Sequence, residues 1–184
     1  MSFNLIFEYI KSDLYRYTTN ISLKDFLIHY FFNNGFNISV WFRLSKTSTF
    51  FRYFFIFILK LKRNKFNIDL PYQAKIGYGL YIGHSGPLVI SACANIGNNL
   101  NISQYVTIGA VNGIGPKIGN SVYIGPSSCI VGKVVVGDFV TIGAGSVVTK
   151  DIPDNATAAG NYAKVLNYDE PGKYVGSIYN FEKQ

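Results

Sequence analysis

The chain carries two histidines, His29 and His84, and two cysteines, Cys93 and Cys129, so few groups can exchange a proton near neutral pH. His84 stands out by position. It interrupts a stretch in which an aliphatic residue recurs every six positions: Ile76 and Ile82, then Ile90, Ile96, Ile102 and Ile108, then Ile118, Ile124, Ile130, Val136, Ile142 and Val148. The beat gains two residues between Ile82 and Ile90, and four between Ile108 and Ile118. Extra residues cannot enter a regular wall, so they must bulge outward, and bulges on repeat proteins often lie on the binding face. A lone histidine is usually structural. An imidazole on an outward bend is a candidate general base. His29 falls in a helical stretch. Neither cysteine sits in a bulge, so both are expected to be small reduced thiols rather than nucleophiles.

The elements that must hold His84 follow from the same beat. Neither a helix nor a simple strand has a period of six, but a short strand followed by a tight turn does. The aliphatic residue fills an axis, and the glycine that often follows it, as at Gly77, Gly97, Gly119 and Gly137, permits close turn geometry. Three such units make one triangular coil, and stacked coils pair their backbone groups with the coils above and below. With the two insertions removed, the aliphatics align in three columns: Ile76, Ile96, Ile118, Val136; Ile82, Ile102, Ile124, Ile142; and Ile90, Ile108, Ile130, Val148. Residues 76–153 allow roughly four coils, enough for a stable solenoid.

Before the repeat the composition changes. Aromatic residues crowd the first 72 positions, and "SLKDFLIHYFFNNGFNISVWFRLSK" and "STFFRYFFIFILKLKRNK" read as helices. Ser22 and Ser48 are the expected N-caps, and "NNGFN" at 33–37 is the expected turn between helical segments. The expected division is a helical region over 1–68, a β-helix domain over 69–167 and a tail over 168–184. The chain is 48% hydrophobic, which excludes disorder, and its net charge of +7 points to an acidic partner. No nucleic-acid-binding signature accompanies the charge. No secretory leader is expected from the first residues, and "FFRYFFIFILKL" is too short to span a bilayer. The helix around Arg52, Lys60, Lys62, Arg63 and Lys65 has two readings. It packs on the β-helix or on another copy, or it lies peripherally against the anionic inner face of a membrane.

The hexad pattern resembles the left-handed β-helix acyltransferases. "FNIDLPYQAKIGYGLYIGHSGPLVIS" looks like the serine O-acetyltransferases and their polysaccharide-modifying relatives, in which an aspartate precedes the catalytic histidine by fifteen residues, as Asp69 precedes His84. "VTIGA", "PKIG", "VYIGPSSCIVGKVVVGD" and "VTIGAGSVVTKDIPDNATAAGNYAKVL" continue the match over roughly 60–167. The resemblance implies an acetyl-CoA-dependent O-acetyltransferase with His84 as general base and Asp69 orienting the imidazole. It implies acetyl-CoA in a groove between subunits of a homotrimer, against Gly109, Ala110, Gly125, Ala144, Thr149 and Lys150, with Lys164 near the phosphates. Pro126 has no N–H, so Gly109 or Ala110 is the expected oxyanion donor.

Two departures shape the expected acceptor. Serine acetyltransferases carry aspartate immediately before the histidine, where this chain has Gly83. Their second insertion ends in arginine and histidine, where this one reads Gly113-Ile114-Gly115. With no clamp for ammonium and carboxylate, the expected acceptor is a sugar hydroxyl of a surface polysaccharide or its precursor, and the expected location is the cytoplasm. The alternatives are serine, an antibiotic, or a β-helix that only scaffolds. The related carbonic anhydrases need three histidines, so no metal is expected.

Overall fold

The computed structural model describes residues 1–180. Four helices come first: α1 (Phe3–Thr18), α2 (Leu23–Phe32), α3 (Asn34–Leu44) and α4 (Arg52–Phe66). Ser22 caps α2 by accepting from the Asp25 N–H at 3.1 Å, as expected. Ser48 does not cap α4. Its hydroxyl donates to the Met1 carbonyl, and α4 starts four residues later, at Arg52, without a side-chain cap. The turn expected at 33–37 is a helix junction instead. Asn33 alone separates α2 from α3, and its side chain caps α3 by accepting from the Phe36 N–H at 3.0 Å.

A short strand, β1 (Ile68–Asp69), then opens a left-handed parallel β-helix. The first coil is β2 (Lys75–Ile76), β3 (Tyr81–Ile82) and β4 (Leu88–Ile90). The second is β5 (Asn95–Ile96), β6 (Asn101–Ile102) and β7 (Thr107–Gly109). The third is β8 (Lys117–Ile118), β9 (Tyr123–Ile124) and β10 (Cys129–Val131), and the fourth β11 (Val135–Val136), β12 (Thr141–Ile142) and β13 (Val147–Val148). Strands β14 (Thr157–Ala159) and β15 (Lys164–Asn167) close the far end, β15 antiparallel to β14. The strands form three walls, in the orders β1-β4-β7-β10-β13, β11-β8-β5-β2 and β15-β14-β12-β9-β6-β3.

The three aliphatic columns are the register of these walls. Ile76 pairs with Ile96 and Ile96 with Ile118; Ile82 pairs with Ile102; Ile130 pairs with both Ile108 and Val148. All these side chains are buried and form one core with Leu80, Leu100, Val122 and Val140 at the adjoining corners. Each fully buried aliphatic contributes about 1.5–3 kcal/mol. The glycines after the aliphatics act differently from expectation. The left-handed dihedrals fall on corner residues such as Asn99 (φ 56°) and Ser121 (φ 53°). Gly97 is needed because a Cβ there would come within 2.8 Å of the Gly119 backbone in the next coil. It sets the spacing between coils rather than the turn.

The first coil has no coil above it, so its carbonyls need other donors. The helices supply them. Arg43 donates to the Ile76 carbonyl at 2.8 Å and to the Gly77 carbonyl at 2.7 Å, and Lys46 donates to the Ala74 carbonyl at 2.6 Å. Arg43 also forms a bidentate pair with Asp13 at 2.9 Å, both side chains being buried. Asp13 in turn accepts from the Leu80 N–H, and Ser12 from the Gly79 N–H. The helical region is therefore the polar lid of the β-helix as well as an apolar neighbour. At the other end of the chain, the segment after Asn167 runs back towards α1. Tyr179 is buried there, and Asn99 binds its backbone N–H and carbonyl at 2.9 and 3.0 Å.

Candidate active site

His84 sits where the wall of β3 turns into the wall of β4, on the first extra loop. The entrance to that loop is held from the helices. The buried Tyr17 hydroxyl accepts from the Ile82 N–H at 3.0 Å and donates to the Ile82 carbonyl at 3.2 Å. Burial pushes the Tyr17 phenol pKa upward, which keeps it a neutral donor. Gly35, in the first turn of α3, lies so close that a Cβ would stand 2.5 Å from the Ile82 carbonyl. Beyond the histidine, the Asn34 amide donates to the Ser85 hydroxyl at 3.3 Å. These contacts leave His84 itself exposed, with no hydrogen bond or ion pair among the described residues. Tyr17, Asn34 and Gly35 gave no sequence signal, because their role depends on where the helices dock.

Asp69 lies on β1, beside β4. Its carboxylate is ion-paired with Arg63 of α4, and the structure gives it no bond to His84. The residue expected to orient the imidazole is thus on the neighbouring strand but turned to a different partner.

The residues expected along the thioester fall on two edges of the prism. Gly125 and Ala144 share the edge of His84, between the walls of β3 and β4. Gly109, Ala110, Thr149 and Lys150 lie on the next edge, between the walls of β4 and β2. A three-residue strand such as β7 separates the edges by roughly 10 Å. Ala144, Thr149 and Lys150 are exposed, and Lys150 has no ion pair among the described residues. Lys164 is exposed at the start of β15. The Gly125 N–H is spent on the Ile142 carbonyl at 2.8 Å. The Ala110 and Ala144 N–H groups make no hydrogen bond among the described residues, so each is a free donor.

The second extra loop is a tight hairpin. Val111 and Ile114 exchange two backbone hydrogen bonds at 3.0 Å, and Asn112 (φ 51°) and Gly113 (φ 76°) take the paired left-handed dihedrals of a type I′ turn. It stands against the β10 side of the edge, where Gly132 leaves room for Val111. Among the described residues no cluster of histidine, cysteine and carboxylate could hold a metal ion. Both cysteines are free thiols. No described helix is long and apolar enough to cross a membrane.

Residues 115–150 match the bacterial transferase hexapeptide family (six repeats). The serine acetyltransferase of Helicobacter pylori is 36% identical over 64% of this chain and 72% of its own length. A mitochondrial serine acetyltransferase of Arabidopsis thaliana is 44% identical over 55% of this chain, but this chain spans 27% of that protein's length. Among solved structures, the serine acetyltransferase of Brucella abortus in complex with coenzyme A superposes with a TM-score of 0.70 over 89% of this chain and 67% of that one, at 27% identity. The serine acetyltransferase of Neisseria gonorrhoeae in complex with serine superposes with a TM-score of 0.72 over 90% of this chain and 71% of that one, at 28% identity. The serine-bound structure overturns the polysaccharide acceptor expected above. The physical reason is that Gly83 and the uncharged hairpin remove particular clamp residues without building anything that selects a sugar.

Proposed function

Because the chain belongs to the serine acetyltransferase family, we propose that it is an acetyl-CoA-dependent O-acetyltransferase whose acceptor is the hydroxyl of serine. The observation that carries this reading is His84: an unpartnered imidazole on an outward bend that Tyr17 and Asn34 hold from the helical side. Acetyl-CoA supplies the activated acetyl group as its thioester. His84 takes the proton of the acceptor hydroxyl as that oxygen attacks, and returns it to the departing thiolate. Free backbone N–H groups at Ala110 and Ala144 are the donors available to the charge that develops on the carbonyl oxygen. The small corners at half-buried Ala110 and exposed Ala144 admit the pantetheine arm, and Lys150 meets phosphate.

The two edges carrying these residues bracket one wall, which supports a site completed where a second copy of the chain lies alongside the first. Recognition of serine then rests on groups other than the missing clamp. A Cβ at Gly83 would lie 3.0 Å from the Tyr81 ring, so Tyr81 fills the space an aspartate would use. Its ring offers an ammonium a cation–π contact, while Asn34 and Ser85 offer hydrogen bonds beside His84. The test is CoA release from acetyl-CoA with and without L-serine. Saturable, serine-dependent release that D-serine does not support is the expected result. Release that serine leaves unchanged at every concentration overturns serine as acceptor.

A further inference from the structure

Arg16, near the end of α1, is a buried cation without an ion-pair partner among the described residues. It is 6% exposed. One of its amino groups donates to the Gly176 carbonyl at 2.5 Å, and its Nε–H is buried with no partner among the described residues. The nearest carboxylate influence comes from Asp13, which is committed to Arg43 in a bidentate pair. Burial lowers the Arg16 pKa to about 10, which leaves it charged at neutral pH. A guanidinium has five donors in a planar fork, and burying one against a single carbonyl leaves most of them unspent.

Arg16 lines a cavity of about 220 Å³ under the returning C-terminal segment, with Tyr81, Asn101 and Ser177 around it. The Tyr81 and Ser177 hydroxyls make no hydrogen bond among the described residues, and no carboxylate is in the lining. Asn101 holds the roof by donating to the Tyr174 carbonyl at 2.7 Å. A volume of this size holds a tetrahedral oxyanion with a few waters, since one water occupies about 30 Å³.

We infer that this cavity is a binding site for a small oxyanion, held by the Arg16 fork and the Tyr81 and Ser177 hydroxyls. The inference does not rest on the proposed acetyl transfer, although the two sites share Tyr81. An anion here would neutralise the buried guanidinium and tie α1 to the C-terminal segment.

The experiment is calorimetric titration of the full chain with inorganic phosphate, sulfate and acetate, each at constant ionic strength set with potassium chloride. Saturable binding of one anion per chain is expected, weakened about tenfold or more by Arg16→Gln. Tighter phosphate and sulfate than acetate identifies a tetrahedral ligand; the reverse order identifies a carboxylate, and either supports the site. Should Arg16→Gln fail to fold, Arg16→Lys keeps the charge without the fork and Tyr81→Phe removes one donor, and each is expected to weaken binding severalfold. Absence of saturable binding to the wild type, or unchanged affinity in the folded variants, overturns the site.

Discussion

The Asp69 carboxylate is ion-paired with Arg63 in the last turn of α4, while the His84 imidazole, on the bend leading into the adjacent strand, has no partner among the described residues. This arrangement separates two residues that the spacing in the sequence joins. His84→Ala should lower serine-dependent CoA release about 10²–10⁴-fold, the range for a positioned base, with the fold intact because the side chain is exposed. Asp69→Asn should lower it no more than about tenfold, since the structure commits that carboxylate elsewhere. Equal losses in the two variants would mean that Asp69 leaves Arg63 for His84 during the reaction.

Tyr17→Phe tests whether the helical region positions the catalytic bend. The hydroxyl satisfies both backbone groups of Ile82, which has no coil above it. Losing it should destabilise the chain by about 1–3 kcal/mol, read from urea unfolding. It should also lower kcat more than it raises KM, because His84 follows Ile82 by two residues and the Tyr17 hydroxyl acts on the bend through Ile82. A loss of stability with unchanged kinetics would leave Tyr17 a purely structural cap.

The β-helix was legible because its grammar is local. Each Ile or Val reports its own inward position, and a six-residue step survives two insertions without losing register, as the Ile82–Ile102 and Ile90–Ile108 pairings confirm. The helical half was legible in type but not in detail. "NNGFN" reads as a turn by composition, yet Asn33 capping Phe36 lets Asn-Gly begin α3. The polar lid was not legible at all. Arg43 and Asp13 look like ordinary helix charges, and only docking on an unpaired first coil gives them carbonyls and an N–H to meet. The acceptor was misread for a related reason. Missing clamp residues were visible, but what the folded surface places there, such as the Tyr81 ring beside Gly83, was not.

Arg43→Met should be among the most damaging single changes in the helical region. It strips a donor from the Ile76 and Gly77 carbonyls and leaves Asp13 buried without its counter-charge. Removing one partner of a buried pair typically costs about 3–5 kcal/mol. Burial already raises the Asp13 pKa against the pull of Arg43, so the variant is expected to bind an extra proton on folding. Chemical unfolding of Arg43→Met beside the double variant Asp13→Leu/Arg43→Met checks this: the double change should recover part of the loss.

The hairpin of the second loop isolates a backbone effect. Gly113 (φ 76°) has nothing within 4 Å of an added Cβ, so Gly113→Ala meets no steric neighbour and pays only for its dihedral. A destabilisation of about 1 kcal/mol is expected, with full recovery in Gly113→Asn to within a few tenths, because asparagine tolerates the left-handed region. Equal destabilisation by both substitutions would indicate a contact of this loop with a second copy.

Lys46 gives the chain a specific pH dependence. Its ammonium donates to the Tyr72 and Ala74 carbonyls, but burial lowers its pKa from 10.5 to about 8, and Arg43, Arg52 and Lys75 push the same way. Below about pH 8 both the folded and unfolded chains hold the proton, and the penalty for burying the charge is constant. Between about 8 and 10.5 the unfolded chain binds more protons than the folded one, so the penalty is relieved and stability rises with pH. Other lysines and tyrosines titrate nearby, so the informative quantity is the difference from Lys46→Met. That difference should move in favour of the wild type as urea midpoints are followed from pH 7.5 to 10. A difference that stays flat would show the ammonium held charged by its two carbonyls throughout.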